Sequence, residues 1–185
     1  MELVVPSFDH LDGFVEALKR GWSPDNIRLE AAAREILLRV EADAAGFLSS
    51  ADDRDARGGA ITLPDGSQVP RLPGFVRWMW DGEFCGQIGF RWQPGTEALP
   101  KHCLGHIGYA VVPWKRGKGY ATRALAMMLA EARKEGLAYV ELTTDPDNVA
   151  SQKVITANGG NFVERFNADP AYGPEKPEFR WRISL

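Results

Sequence analysis

The sequence is poor in cysteine and has no long apolar run. Its two cysteines, Cys85 and Cys103, lie far apart and match neither a CxxC motif nor zinc-ligand spacing, so we expect free thiols and no metal site. No run reaches the roughly 18 apolar residues of a membrane helix, and the start of the chain lacks the pattern of a signal peptide. These absences predict a cytoplasmic protein with no membrane partner.

An excess of basic residues is also absent. The 185 residues include 22 Lys and Arg against 25 Asp and Glu, which gives a net charge of −3. This balance argues against a general nucleic-acid partner. Hydrophobic residues make up 44% and charged residues 25%, which excludes a chain that is disordered as a whole. The length suits one compact domain, so we expect residues 1–185 to form a single domain.

The apolar pattern predicts elements in the order β-α-α-β-β-β-α-β-α-β-β. Residues 49–73 are rich in Asp, Arg, Gly and Pro, which predicts a long loop with a turn at Leu63–Gly66. We expect an α/β (α+β) fold, with a mixed, mostly antiparallel sheet of about six to seven strands flanked by helices. The predicted strands cover 3–5, 75–80, 83–92, 104–112, 138–144, 161–166 and 178–184, and the predicted helices cover 7–21, 25–47 (as one helix or two), 117–135 and 147–157.

A basic glycine turn between a strand and a long helix is the most informative segment. Backbone N–H groups at a helix N-terminus have no partner within the helix, and the helix dipole favours an anion there. Gly117 and Gly119 let the backbone approach a ligand closely. The turn therefore predicts a diphosphate cradle. It is not a P-loop, which needs GxxxxGK before Ser or Thr, and Thr122 stands at the third glycine of a dinucleotide fingerprint.

Arg116, Gly119 and Ala121 form an Arg-x-x-Gly-x-Ala pattern that resembles the acyl-CoA signature of the GNAT superfamily of N-acetyltransferases. The segment Thr144–Ser151 resembles the next strand end and Asn-x-x-Ser turn of that superfamily, and Asn158–Phe162 stands at its glycine-Phe segment. Gly105–Tyr109 resembles an uncharacterised bacterial subgroup of predicted acetyltransferases. The resemblance covers residues 75–185 well and the N-terminal third only by element order.

The resemblance implies that acetyl-CoA is the co-substrate and that a primary amine of a small molecule or peptide attacks it directly. The helices and loop of residues 1–73 would form the acceptor side, and residues 74–185 the core with the CoA-binding motif. A backbone N–H at a strand bulge would polarise the thioester carbonyl. Many relatives are dimers, which leaves a homodimer open. The implied CoA-binding residues are Ala110, Val111, Val112, Arg116, Gly117, Lys118, Gly119, Tyr120, Ala121, Thr122, Thr144, Asn148 and Ser151.

The acid and the base are less clear, because Ile155 stands where many family members have the tyrosine that protonates the leaving thiolate. His106 is a candidate base or proton relay, since imidazole titrates near neutrality, and its alternative is a buried structural histidine. Glu141 is a second candidate on a presumed central strand, with a charge at a strand edge as its alternative. Tyr109 is a candidate proton donor, with core packing as its alternative.

Two further hypotheses concern the acceptor and the activity. Trp78 and Trp80 share one strand face and could line an acceptor pocket, over which the loop 49–73 would act as a lid. The missing tyrosine keeps open a CoA-binding or sensor module without catalysis. A longer acyl-CoA or an acceptor other than an amine is the alternative within enzymes.

Overall fold

The computed structural model describes residues 1–63, 65–168 and 176–185. The strands are β1 (Glu2–Val4), β2 (Asp52–Asp53), β3 (Ile61–Thr62), β4 (Gln68–Val69), β5 (Gly74–Trp80), β6 (Phe84–Arg91), β7 (Ile107–Val111), β8 (Tyr139–Thr144), β9 (Asn161–Asn167) and β10 (Pro177–Ser184). The helices are α1 (Phe8–Lys19), α2 (Leu29–Ala42), α3 (Ala44–Ser49), α4 (Tyr120–Lys134) and α5 (Val149–Thr156), with a 3-10 turn at Pro113–Lys115.

The strands of the body form two antiparallel sheets. One has the order β1-β5-β6-β7, with β2 added to the edge of β5, and the other has the order β8-β10-β9. β3 and β4 pair separately as a short hairpin inside the predicted loop. The mixed architecture of antiparallel strands flanked by helices is confirmed. The strands are divided between two sheets because β7 and β8 meet at one end only.

Both faces of the larger sheet are covered. On one face α1 and α2 pack over an aromatic cluster in which Phe14 stacks on Trp78 with ring centroids 4.6 Å apart. On the other face Met79 of β5 and Met128 of α4 belong to one buried cluster. Trp78 is only 1% exposed, so the suggestion that it lines an acceptor pocket is wrong. Its ring fills the core under α1 instead.

The predicted helix over 25–47 is divided at Asp43. The Asp43 side chain accepts a hydrogen bond from the Gly46 N–H at 2.8 Å and thereby starts α3. The N-terminal end begins later than expected, at Leu29, because the Asp25 side chain holds the N–H groups of Ile27 and Arg28 in a turn. Local side-chain caps therefore decide both ends.

The loop 49–73 is attached to the body at β2 and β5. The Arg54 guanidinium lies 4.2 Å from the centre of the Phe75 ring and pairs with Glu135 at the end of α4 at 2.8 Å. Pro64, within the predicted turn, lies outside the described residues. The role of this loop as a lid stays a prediction. Among the helices that the structure describes, none has the length and apolar character needed to cross a membrane.

Candidate active site

The two sheets meet at a junction formed by His106 and Glu141. The His106 N–H donates to the Glu141 carbonyl at 2.7 Å, and the Glu141 N–H donates to Nδ1 of the His106 ring at 2.9 Å. Gly105 makes this approach possible, since a Cβ there would lie 3.1 Å from the Glu141 carbonyl oxygen. Beyond this junction β7 and β8 are not paired with each other, so a split opens between them.

Alternate residues of β7 direct their backbone N–H and C=O groups toward the split. The His106 carbonyl accepts from the Arg91 N–H, and the Val112 N–H donates to the Cys85 carbonyl, each at 2.9 Å. Between these bonds β7 pairs with β6 in unbroken register, so the bulge expected there is wrong. In an antiparallel ladder only every second residue faces a given neighbour. Ala110 and Val112 therefore face β6, whereas the backbone of Val111 faces the split.

The glycine turn follows β7 after Val112 and the 3-10 turn at Pro113–Lys115. Gly117 and Gly119 adopt φ angles of +77° and +72°, and a Cβ at either position would meet nothing within 4 Å. The first hydrogen bond of α4 runs from the Arg123 N–H to the Gly119 carbonyl. The N–H groups of the residues between them precede the helical ladder, so they are available to an anion. The Arg116 side chain turns back and donates from Nε to the Val111 carbonyl at 3.2 Å.

The basic side chains of the turn are not equivalent. Arg116 and Lys118 are exposed, whereas Lys115 is paired with Asp81 at 2.9 Å and with Glu83 at 2.8 Å. Glu83 and Asp81 together raise the pKa of the Lys115 ammonium above its ordinary value. The positive potential at the turn therefore comes from the helix start and two side chains, with Lys115 already engaged.

Tyr109 crosses the split. Its hydroxyl donates to the Ser151 carbonyl on α5 at 3.3 Å, and burial raises the pKa of the phenol above its ordinary value. The phenol thus keeps its proton at neutral pH. Of the other residues expected on this side, Thr144 is buried and accepts from the Trp181 indole at 3.1 Å, and Asn148 is exposed and caps α5 by accepting from the Ser151 N–H at 3.1 Å.

His106 and Glu141 come together, but neither is a free proton acceptor. His106 is 0% exposed, and burial lowers its pKa to about 4. The Glu141 carboxylate is paired with Arg180 at 3.1 Å and with Arg182 at 2.7 Å. This geometry favours the alternative structural readings of both residues, as the junction of the sheets and a neutralised charge on β8.

Sequence reasoning missed two carboxylates, Glu178 and Asp81, that the fold pairs with lysines. Glu178 of β10 is 7% exposed and lies 3.3 Å from the Lys176 ammonium, which also pairs with Asp145 at 2.5 Å. Burial raises the pKa of the Glu178 carboxyl above its ordinary value. The available signal in the sequence was the charged Glu178 directly before the apolar Phe179 in a predicted strand. Asp81, the partner of Lys115, looked like an ordinary hairpin turn residue.

Two surface cavities lie near these residues. One of about 520 Å³ is bordered by the end of β8 and the start of β10, including Asp147, Arg165 and Phe179. The other, of about 190 Å³, lies between α1 and the start of β6 and contains Trp114. In residues 1–63, 65–168 and 176–185, no three His, Cys, Asp or Glu side chains are grouped to hold a metal ion.

Comparison with known proteins agrees with this arrangement. A family model described as an acetyltransferase (GNAT) domain matches residues 22–161. No curated protein matches the chain. Solved structures share the fold at low identity. The microcin self immunity acetyltransferase MccE, in complex with acetyl-CoA and AMP, has a TM-score of 0.64 at 11% identity, over 99% of this chain and 91% of that one.

Two ribosomal-protein acetyltransferases are also similar in fold. RimL, an alpha-N-protein acetyltransferase in complex with coenzyme A, has a TM-score of 0.65 at 14% identity, over 100% of this chain and 93% of that one. An acetyltransferase from Salmonella typhimurium that modifies the N-terminal serine of a 50S ribosomal subunit protein has a TM-score of 0.62 at 17% identity, over 99% and 94%. At these identities the likeness concerns the fold.

Proposed function

The chain belongs to the GNAT acetyltransferase family, and we propose that it transfers the acetyl group of acetyl-CoA directly to a primary amine of a small molecule or peptide. The observation that carries the proposal is the glycine turn, whose N–H groups precede the ladder of α4 and lie a few residues after Val111, the N–H of which faces away from β6. Both belong to the segment that the family model matches. The open space at Gly117 and Gly119 fits a diphosphate, which needs close approach to the backbone.

The donor would lie along the edge of β7 that faces the split. The Arg116 N–H donates to the Pro113 carbonyl at 3.3 Å, so the N–H groups from Gly117 to Ala121 would hold the diphosphate, with the Arg116 and Lys118 side chains adding charge. The Val111 N–H would donate to the thioester oxygen and so favour the charge that develops there during attack. Asn148, which is exposed, would contact the pantetheine arm from the opposite border of the split, with Thr144 and Ser151 beside it.

Tyr109 is the proposed general acid. Its hydroxyl reaches across the split to the Ser151 carbonyl, where the leaving thiolate would form. A phenol is protonated at neutral pH, and burial raises its pKa further. Proton donation would require the hydroxyl to leave its hydrogen bond to the Ser151 carbonyl. The phenol would thereby take the role that Ile155, buried and apolar, cannot fill.

Loss of a proton from the amine is needed before or during attack, since a lysine-like amine has a pKa of about 10.4. Among the carboxylates on the face of the smaller sheet turned away from α4 and α5, Glu178 fits this role better than Glu141. Burial raises the pKa of Glu178 above its ordinary value and a single ammonium, that of Lys176, pairs with it at 3.3 Å, whereas Glu141 is paired with two arginines. His106, without exposed surface, supports the reaction by holding the two sheets together.

The first experiment is thermal unfolding of the protein with increasing acetyl-CoA, beside CoA and NAD. A ligand at 100 times its Kd stabilises the folded state by about 2.7 kcal/mol, which is a readable increase in the melting temperature. We expect an increase with acetyl-CoA and CoA and none with NAD. A folded protein that responds to neither acetyl-CoA nor CoA would contradict the proposal.

Thiol release then separates the enzyme from a CoA-binding module without catalysis. The acceptors to compare are peptides with a free N-terminal serine, peptides with an internal lysine and small primary amines, because two of the similar structures act on ribosomal-protein N-termini. Turnover with any of these amines supports N-acetylation. If the protein binds acetyl-CoA but turns over only hydroxyl acceptors, the proposal that the acceptor is a primary amine is overturned.

A further inference from the structure

We propose that Asp81, at the turn between β5 and β6, is a positioning residue that holds the diphosphate cradle in its binding geometry. The inference rests on the proposed function, since it concerns the site for the acetyl-CoA diphosphate. Asp81 does not belong to the glycine turn and is 34 residues from Lys115 in the chain. It is therefore an addition to the motif that identifies the cradle.

Asp81 is bonded to both sides of the glycine turn. Its Oδ1 accepts from Lys115 Nζ at 2.9 Å, and its Oδ2 accepts from the same ammonium at 3.2 Å and from the Tyr120 hydroxyl. Lys115 precedes Gly117 and Tyr120 follows Gly119. One carboxylate thus ties down the residue before and the residue after the turn.

The turn needs such an attachment. Glycine has the largest backbone freedom of any residue, and the positions of Gly117 and Gly119 have no neighbours within Cβ contact distance. Residues 116–119 are all exposed, so packing does not order them. Charge-assisted hydrogen bonds at Asp81, whose side chain is only 15% exposed, supply a rigid anchor on the sheet. Preorganising the N–H groups in this way lowers the cost of binding.

The charges indicate that Asp81 acts by holding Lys115 and Tyr120, and not by contacting the ligand itself. Lys115 is 12% exposed and satisfies Asp81 and Glu83 together, so it is oriented toward the hairpin. The hydrogen bond from Tyr120 and then the pairing with Lys115 hold the pKa of Asp81 well below its ordinary range, so the carboxylate stays charged across the working pH range. In an Asp81→Asn variant Glu83 still holds Lys115, so little positive charge is released toward the ligand.

The test measures the Kd of three probes for wild type and Asp81→Asn. CoA and dephospho-CoA both contain the diphosphate and are measured by calorimetry, whereas pantetheine lacks it and is measured by ligand-observed NMR. We expect the Kd of CoA and dephospho-CoA to rise together by about 10-fold, as expected for loss of hydrogen bonds to a charged group, with the pantetheine Kd unchanged. Tyr120→Phe should raise the Kd of CoA and dephospho-CoA by about 3-fold, because the bond between Asp81 and Lys115 remains.

Glu83→Gln is the matched control, because it removes the other carboxylate partner of Lys115. The Glu83 side chain is 76% exposed. We expect less than about a 2-fold change in the Kd of CoA, since exposed ion pairs contribute little. An equal rise for pantetheine would show general damage and overturn the positioning role. Tighter CoA binding by Asp81→Asn would show a repulsive charge and would also overturn it.

Failure of the proposed function gives a different result. If wild-type protein binds none of the three probes, both the acetyl-CoA site and the role of Asp81 are overturned. If wild type binds CoA more tightly than pantetheine and Asp81→Asn changes neither Kd, only the role of Asp81 is overturned.

Discussion

β7 presents its backbone to the split, whereas β8 and β10 present charged side chains that are already paired. On β7 the Val111 N–H and the glycine turn are free to contact a ligand. Across the split, Glu141 is bound by two arginines. The comparison indicates that β7 offers backbone groups to the split, whereas the charged side chains of the opposite sheet are engaged with one another.

The difference has a chemical reason. A diphosphate is recognised well by N–H groups at a helix start, whatever the side chains nearby. A carboxylate on a half-buried strand must instead be neutralised, and Arg180 and Arg182 do this for Glu141. Tyr109 is the exception on β7, because its side chain crosses to α5. The following variants test whether the division holds.

Tyr109→Phe is expected to have the largest effect. Loss of the proposed general acid should lower kcat by about 100-fold, with little change in the KM for acetyl-CoA. Steady-state kinetics with the best amine from the acceptor screen measures both parameters. If kcat is unchanged, Tyr109 packs in the split without donating a proton, and β7 acts through its backbone alone.

Gly119→Val tests the backbone side directly. The left-handed φ and the added branched side chain should weaken CoA binding by about 30-fold, since the strain costs roughly 1–2 kcal/mol and the side chain enters the cradle. Gly136→Val is the control, because Gly136 ends the same helix with a φ of +79° and equally open space. Both variants should lose similar stability, but only Gly119→Val should lose CoA affinity in calorimetry. Equal affinities would contradict the cradle.

His106→Gln tests the junction. In wild type the pKa of His106 is lowered to about 4 by burial, so its contribution to stability is complete above the ordinary pKa of 6.5 and is lost as pH falls toward 4. The contribution is about 3 kcal/mol. Urea unfolding between pH 7 and pH 4 should show a steeper loss for wild type than for His106→Gln. Parallel pH profiles would mean that His106 does not titrate in this way.

The same variant addresses His106 as a base. If His106 only joins the sheets, His106→Gln should keep kcat within about 3-fold at a temperature where it is folded, because the imidazole then takes no part in the reaction. A fall in kcat of about 100-fold with unchanged CoA affinity would restore His106 as the base.

Glu141→Gln is expected to have the smallest effect. Removing the charge leaves Arg180 and Arg182 without this partner and should lower the free energy of unfolding by about 1 kcal/mol, since both arginines reach solvent. Activity should stay near the wild-type value.

Glu178→Gln is the counterpart on the same face and should lower kcat by about 100-fold if Glu178 accepts the amine proton. The opposite ranking of the two variants would assign the base to Glu141.

The order of the main elements and the cradle were predictable because both depend on neighbours in the chain. Alternating apolar residues specify β5, β6 and β10, and a helical period specifies α4. The glycine turn combines positive φ positions with a helix start, which local sequence encodes. The sequence left open whether residues 25–47 form one helix or two. In the structure the Asp43 side chain caps α3 and so divides the segment.

The junction, the pairing of Glu141 and the attachment of the cradle were decided only by the tertiary structure. His106 meets Glu141 35 residues away, Glu141 meets Arg180 39 residues away, and Asp81 meets Tyr120 39 residues away. A side chain's burial and partners set its pKa and its availability. No local pattern distinguishes an available carboxylate or imidazole from a paired one. The glycine turn at a helix start could therefore be predicted from neighbouring residues, whereas the packing of distant strands decides which side chains are paired and which remain free.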